Sequence, residues 1–131
     1  MICKTAMKIF TLNKSGVIIN ISSVVGETGN AFQAVYAATK AGLVALSRSL
    51  AQEAAALNTE HSIRVLSVSP GFIETDMTDA IPEAEKEKYQ KMIPAHKFGS
   101  ADDIAETIAF LVSDKAAYIN GTNLHINGGL I

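Results

Sequence analysis

Two short apolar runs restrict this chain most: Val17–Ile21 (VIINI) and Ile63–Val68 (IRVLSV), each stopped by small or rigid residues. A near-continuous apolar run of that length reads as a strand buried on both faces of a parallel sheet. The first stops at Ser22-Ser23. The second stops at Pro70-Gly71, which breaks a strand where it leaves its sheet. Between them lie a Gly26–Gly29 loop and a helical stretch from about residue 32 to 56, with Ala38, Leu43, Leu46 and Leu50 as its packing surface. Residues 2–13 carry apolar Ile2, Ala6, Ile9 and Phe10 at helical spacing, and Asn13-Lys14-Ser15-Gly16 closes that helix. The stretch reads as a core helix rather than a basic amphipathic leader, and the chain begins inside it.

Beyond Pro70-Gly71 the pattern is mixed. A charge run from Glu83 to Lys91 reads either as the solvated face of a short helix, with Tyr89, Met92 and Ile93 inward, or as a mobile flap over a pocket. Ser100 is placed to cap a further helix, with Asp102 and Asp103 in its first turn, where the helix dipole favours carboxylates. Ile104, Ile108, Leu111 and Val112 form that helix's apolar stripe, and Thr122–Ile126 is a third short strand. The order α-β-α-β-α-α-β predicts an α/β fold: about three parallel strands with flanking helices, and functional groups at the strands' carboxyl ends. Ser22-Ser23 and Pro70-Gly71 both fall at such ends.

Composition excludes several classes. With 131 residues, 48% hydrophobic and 18% charged, the chain is long and apolar enough for one folded domain. A net charge of −2 offers no field for nucleic acid or an anionic membrane. No apolar run approaches the roughly 18 residues that span a bilayer. The lone Cys3 points to a reducing compartment. His61, His96 and His125 lack metal-ligand spacing, so no metal is expected. His96 reads as a surface residue and His125 as a packing or subunit-contact residue. Ser47 and Ser49 read as helix-surface hydroxyls, and Arg48 and Glu53 as interface or solvent charges.

The chemistry concentrates between Val17 and Lys40. Tyr36 and Lys40 are four residues apart on a helix, so both project from one face about one turn, roughly 6 Å, along the axis. A phenol ionises near pH 10 and is a poor acid at neutrality, but an adjacent ammonium favours the phenolate. A serine hydroxyl on the preceding loop is able to hydrogen-bond an oxygen as it becomes an alkoxide. Hydroxyl, phenol and ammonium together suit proton transfer coupled to hydride transfer at a carbonyl, with the hydride supplied by a nicotinamide or flavin. The Y-x-x-x-K spacing is weak alone. Joined to a strand, Ser23 thirteen positions upstream, and a later strand ending in Pro-Gly, it is far more specific.

The segments N-I-S-S-V-V-G, Y-A-A-T-K-A-G and S-P-G-F-I-E-T-D-M-T resemble the short-chain dehydrogenase/reductase family. They look most like its 3-oxoacyl-[acyl-carrier-protein] reductases and related carbonyl reductases and 17β-hydroxysteroid dehydrogenases. The likeness runs from about Ile2 to Ile131 and ends in the N-G-G tail. It implies that Ser23 polarises the substrate carbonyl, Tyr36 is the general acid, and Lys40 lowers the tyrosine pKa and holds the nicotinamide ribose. By the same likeness Tyr36, Lys40, Pro70, Gly71, Ile73 and Thr75 contact the cofactor, and Gln33, Phe72 and Met77 lie near the substrate with Ser23. The implied cofactor is NADP(H) rather than NAD(H). The implied assembly is a homo- or hetero-tetramer through helices 2–13 and 32–56, in the cytoplasm or the mitochondrial matrix.

Departures are equally informative. The family's glycine-rich phosphate loop, its N-A-G motif and a catalytic asparagine belong to an N-terminal half, and no G-x-x-x-G-x-G occurs in these 131 residues. Leu66 stands where the family usually has asparagine, and the Asn58–His61 loop is longer than in bacterial members. The resemblance therefore implies the C-terminal half of a Rossmann-type doubly wound sheet, residues 1–131 forming one partial NAD(P)-binding domain. An apolar strand edge is expected beside Val17–Ile21. Two readings follow. The chain is the proton-donating half of an NADPH-dependent 3-oxoacyl reductase, inactive by itself, or it is a short non-catalytic subunit that docks onto full-length relatives.

Overall fold

The computed structural model describes residues 2–57, 62–75, 78 and 80–131. Three parallel strands form its sheet, β1 (Ser15–Ile21), β2 (Ser62–Pro70) and β3 (Asn123–Ile126), in the order β1-β2-β3. Ile18 stands opposite Val65 in the first ladder, and Ser67 opposite Asn123 in the second. Helix α1 (Ile2–Asn13) precedes β1; a short α2 (Val25–Thr28) and a long α3 (Ala34–Leu57) link β1 to β2; α4 (Glu83–Met92) and α5 (Ala101–Val112) lie between β2 and β3.

Alternation along β2 distributes the core. Ile63 and Val65 pack with Met7 of α1 and with Leu50, Ala51 and Ala54 of α3. Leu66 and Val68 point the other way and pack with Leu111 of α5 and Ala116. β2 is therefore the strand buried on both faces. Leu66, the departure from asparagine, is a core residue with no exposed surface. β1 lies at the sheet's edge, as the expected open edge beside Val17–Ile21 requires, but it is only half-buried, which corrects the expectation that both of its faces are covered.

Other corrections follow from where helix faces point. The buried stripe of α3 is Val44, Ser47, Leu50, Ala51 and Ala54, whereas Ala38 and Leu46 are exposed and Leu43 is half-buried. Ser47 is no surface hydroxyl: it has 0% exposure, donates to the Leu43 carbonyl (2.8 Å) and accepts from Asn20 Nδ2 (2.9 Å). Met92 and Val112 face outward, at 57% and 52% exposure, so α4 turns in Tyr89 and Ile93 without Met92, and α5 buries Leu111 with Ile104 and Ile108 half-covered. The long helix starts at Ala34 because Phe32 holds φ at 65°, outside any right-handed helix. The glycine loop contains α2, a helix too short for a periodic signal. The Asn58–His61 loop lies outside the described residues.

Candidate active site

Two segments leave adjacent strands at their carboxyl ends. From β1 the chain passes through Ser22 and Ser23 into α2 and α3. Ser22 is buried: its N–H donates to the Val68 carbonyl (2.7 Å) and its hydroxyl to the Lys40 carbonyl (2.8 Å). Val24, also buried, donates its N–H to the Pro70 carbonyl (3.1 Å). Ser23 thus sits between two residues tied to β2, and its Oγ accepts the Val25 N–H at 3.2 Å. A hydroxyl has one hydrogen and two lone pairs, so the accepting role leaves its own O–H available to another oxygen.

Tyr36 and Lys40 meet as their spacing predicts. Lys40 Nζ donates to the Ile21 carbonyl (2.8 Å), at the end of β1, and lies 5.5 Å from the centroid of the Tyr36 ring. That single bond to Ile21 leaves two ammonium hydrogens. Tyr36 is 44% exposed, so the phenol is open to solvent. Gln33 lies one turn earlier, exposed, its side-chain oxygen accepting from Asn30 Nδ2 (3.0 Å).

The second segment begins at Pro70. Gly71 donates to the Ile126 carbonyl (3.0 Å), and a Cβ there would stand 2.9 Å from Asn127 Cα and 2.8 Å from its Cβ. Only glycine allows that approach. Phe72 stacks on Tyr89 of α4 (4.7 Å between centroids) and on Phe98 (5.5 Å), so its ring is engaged within the segment itself. Ile73 forms a bridge with Gly99. Thr78, not foreseen from sequence, organises the next turn: its hydroxyl lies 3.0 Å and 2.9 Å from the Ile73 and Thr75 carbonyls and accepts the Thr75 N–H at 2.8 Å. Met77 lies outside the described residues. His96 is exposed in a left-handed turn (φ 54°).

A polar network joins the first segment to β3. Glu27 Oε1 accepts from Asn123 Nδ2 and contacts His125 Nε2, both at 2.6 Å. His125 is therefore part of a hydrogen-bonded pair rather than a packing residue. Among the described residues no cluster of three His, Cys, Asp or Glu could hold a metal ion, and no helix is long and apolar enough to cross a membrane.

Comparison with known proteins places this geometry in a family. A short-chain dehydrogenase model described as enoyl-(acyl carrier protein) reductase matches residues 1–131. The 3-oxoacyl-[acyl-carrier-protein] reductase of Staphylococcus aureus is 52% identical over 117 residues, 89% of this chain and 46% of the relative. That of Haemophilus influenzae is 49% identical over 127 residues (97% and 51%), and that of Rickettsia felis 44% identical over 128 (98% and 52%). The chain spans about half the length of the curated relatives it matches. It belongs to the short-chain dehydrogenase/reductase family.

Proposed function

We propose that residues 1–131 form one partial NAD(P)-binding domain carrying the proton-donating half of an NADPH-dependent reductase of 3-oxoacyl thioesters. The observation that carries this reading is the placement of Lys40 beside both Tyr36 and the end of β1, the strand that runs into Ser23. Ser23 donates to the substrate carbonyl oxygen as negative charge develops there. Tyr36 transfers its proton to that oxygen, and the Lys40 ammonium stabilises the phenolate left behind. The relatives named for 3-oxoacyl substrates favour that thioester over the enoyl substrate in the family model's description.

NADPH, when bound, supplies the hydride. These residues fit its nicotinamide-ribose end: Lys40 has two ammonium hydrogens to offer hydroxyls, and the Pro70–Thr75 segment, with Gly71 close against Asn127, forms a neighbouring wall. Nothing in the 131 residues supplies a glycine-rich pyrophosphate cradle. The chain by itself is accordingly expected to bind NADPH weakly and to reduce nothing. Joined behind the glycine-rich half of a relative, it is expected to oxidise NADPH with a 3-oxoacyl thioester. Tyr36→Phe in that chimera lowers kcat by about 10²–10⁴ with little change in KM. A Tyr36→Phe chimera working at the unaltered rate sinks the reading, as does ordinary turnover by the 131 residues alone. A reducing compartment, cytoplasm or mitochondrial matrix, suits the free Cys3.

A second reading rests on a different surface. An apolar groove of about 1120 Å³ runs between α1 and α3 over β1, lined by Ile2, Met7, Leu12, Ile18, Leu46 and Leu57 among others. Exposed apolar surface of this extent marks interaction sites. It supports docking of the two helices onto other copies or full-length relatives, in a homo- or hetero-tetramer. Light scattering on the purified chain tests this: an oligomer that Leu12→Glu dissociates supports it, and a wild-type monomer that pulls down no longer relative removes it.

A further inference from the structure

The proposed mechanism leaves Glu27, Asn123 and His125 without a part. Glu27 is in α2, immediately beyond Ser23, and its partners lie almost a hundred positions later on β3. A surface carboxylate facing only water has no reason to take two contacts of 2.6 Å from one strand. The network also reaches inward. Asn123 Oδ1 accepts from the hydroxyls of Ser67 (2.9 Å) and Ser69 (3.1 Å), both fully buried on β2. Along that face β2 changes from apolar Ile63 and Val65 to these two hydroxyls, whose burial is tolerable only because Asn123 satisfies them. The β2–β3 end nearest Ser23 is thus polar and already ordered when Glu27 meets it.

On its other side α2 lies against α3. A Cβ on Gly26 would come within 2.8 Å of the Ala41 nitrogen and 2.9 Å of the Lys40 carbonyl carbon, so the helices touch backbone to backbone. The turn also holds Ser23 directly: Gly26 N–H donates to the Ser23 carbonyl (3.0 Å) and Val25 N–H to Ser23 Oγ (3.2 Å). Wherever α2 goes, the Ser23 hydroxyl follows.

We propose that Glu27 is a positioning residue: by clamping α2 to Asn123 and His125 of β3 it fixes the Ser23 hydroxyl for the substrate oxygen. This rests on the role given to Ser23 above. The clamp closes α2 between two supports, α3 through Gly26 and β3 through Glu27, whereas Ser22 and Val24 restrain only the backbone on either side of Ser23. Without the carboxylate the turn loses its lateral anchor and opens more often, and the serine side chain samples other rotamers.

The test is NMR on the isotope-labelled 131-residue chain. Amides of Gly26, Glu27, Thr28 and Gly29, all bonded within the turn, report its opening. In Glu27→Ala they are expected to exchange about tenfold faster or more, with a shift of the Ser23 Cβ resonance, while amides of β1 and β2 keep their rates. Glu27→Gln retains an acceptor for Asn123 and is expected to restore most of both readouts. Unchanged exchange and an unmoved Ser23 resonance in Glu27→Ala would overturn the proposal, as would Gln failing to rescue. Should Glu27→Ala not fold, His125→Gln, which keeps the volume and weakens the clamp, carries the same expectation at smaller amplitude. Tyr36→Phe leaves these signals at wild-type values, so a failure of the reductase reading shows in the chimera's turnover and not here.

Discussion

On the β1 side of the site Ser22, Val24 and Lys40 are tied down by four hydrogen bonds between 2.7 and 3.1 Å, whereas on the β2 side Phe72, Tyr89 and Phe98 are held by stacked rings. The two modes do different work. Hydrogen bonds are directional and fix a hydroxyl or an ammonium to within tenths of an ångström. Ring stacking is less directional and holds a segment by its apolar area and the offset of its rings. The groups proposed to carry the chemistry sit on the directional side, and the segment that leads into α4 sits on the other. The residues after Phe72 are pinned at their return by two backbone bonds, Gly99 N–H to the Phe72 carbonyl (2.9 Å) and Glu74 N–H to the Gly99 carbonyl (2.8 Å).

The largest effect should come from the stacked side. Phe98 is buried beneath Phe72, and Phe98→Ala removes a large apolar side chain and leaves a cavity. The expected cost is about 3 kcal/mol, read as a lower urea midpoint. Amide protection should vanish first over α4, while Ser22 N–H stays protected. Equal loss on both sides would show that the two segments are one cooperative unit and dissolve the contrast.

Ser22→Ala tests the other side with a smaller expected effect, about 1 kcal/mol. It removes the hydroxyl donor to the Lys40 carbonyl, which keeps its place in the α3 ladder, so the loss is of one net hydrogen bond. The chemical-shift change is expected at Lys40 and Ser23, with α4 untouched. A response in α4 instead would mean that the hydrogen-bonded segment steadies the stacked one.

Much of this was legible in the sequence, and the exceptions share a cause. The strands and long helices announced themselves through apolar runs and periodicity, and Tyr36 and Lys40 met because four residues on a helix can hardly do otherwise. Ser47 was misread although the signal existed: it lies three residues from both Val44 and Leu50, inside the buried stripe. Residue type outweighed position. β1 looked doubly buried because its apolar run resembles that of β2, and residue type alone does not say how closely helices cover each face. Ser22 and Ser23 are adjacent hydroxyls, and only the fold shows that Ser22 is the buried anchor and Ser23 the one with a free hydrogen. Glu27, Asn123 and His125 could not be joined from one sequence, since no local rule links residues so far apart.

The smallest expected effect concerns the capping box that opens α5, which gives the stacked side a titrating support. Asp103 Oδ2 accepts the Ser100 N–H (2.7 Å) and hydroxyl (2.9 Å), while Ser100 Oγ accepts the Asp103 N–H (3.1 Å). The backbone bond from Ser100 and then its hydroxyl hold the Asp103 carboxyl below its ordinary value, against desolvation, with the Lys97 charge adding least. A carboxylate with a depressed pKa contributes stability that is fully present above the unfolded value, about 3.9, and fades as pH falls through the lower folded value. Ser100 follows directly on Gly99, so acid should loosen the segment that returns from α4 before it disturbs Ser22 or Lys40. The measurement is the protection of the Ser100 and Asp103 amides relative to their intrinsic exchange between about pH 2 and 6, where Asp103→Asn should remove the loss of protection in acid. If the Ser22 amide opens over the same acid range, the β1 side depends on this cap as well, and the division between a directional side and a yielding one has to be redrawn at Gly99.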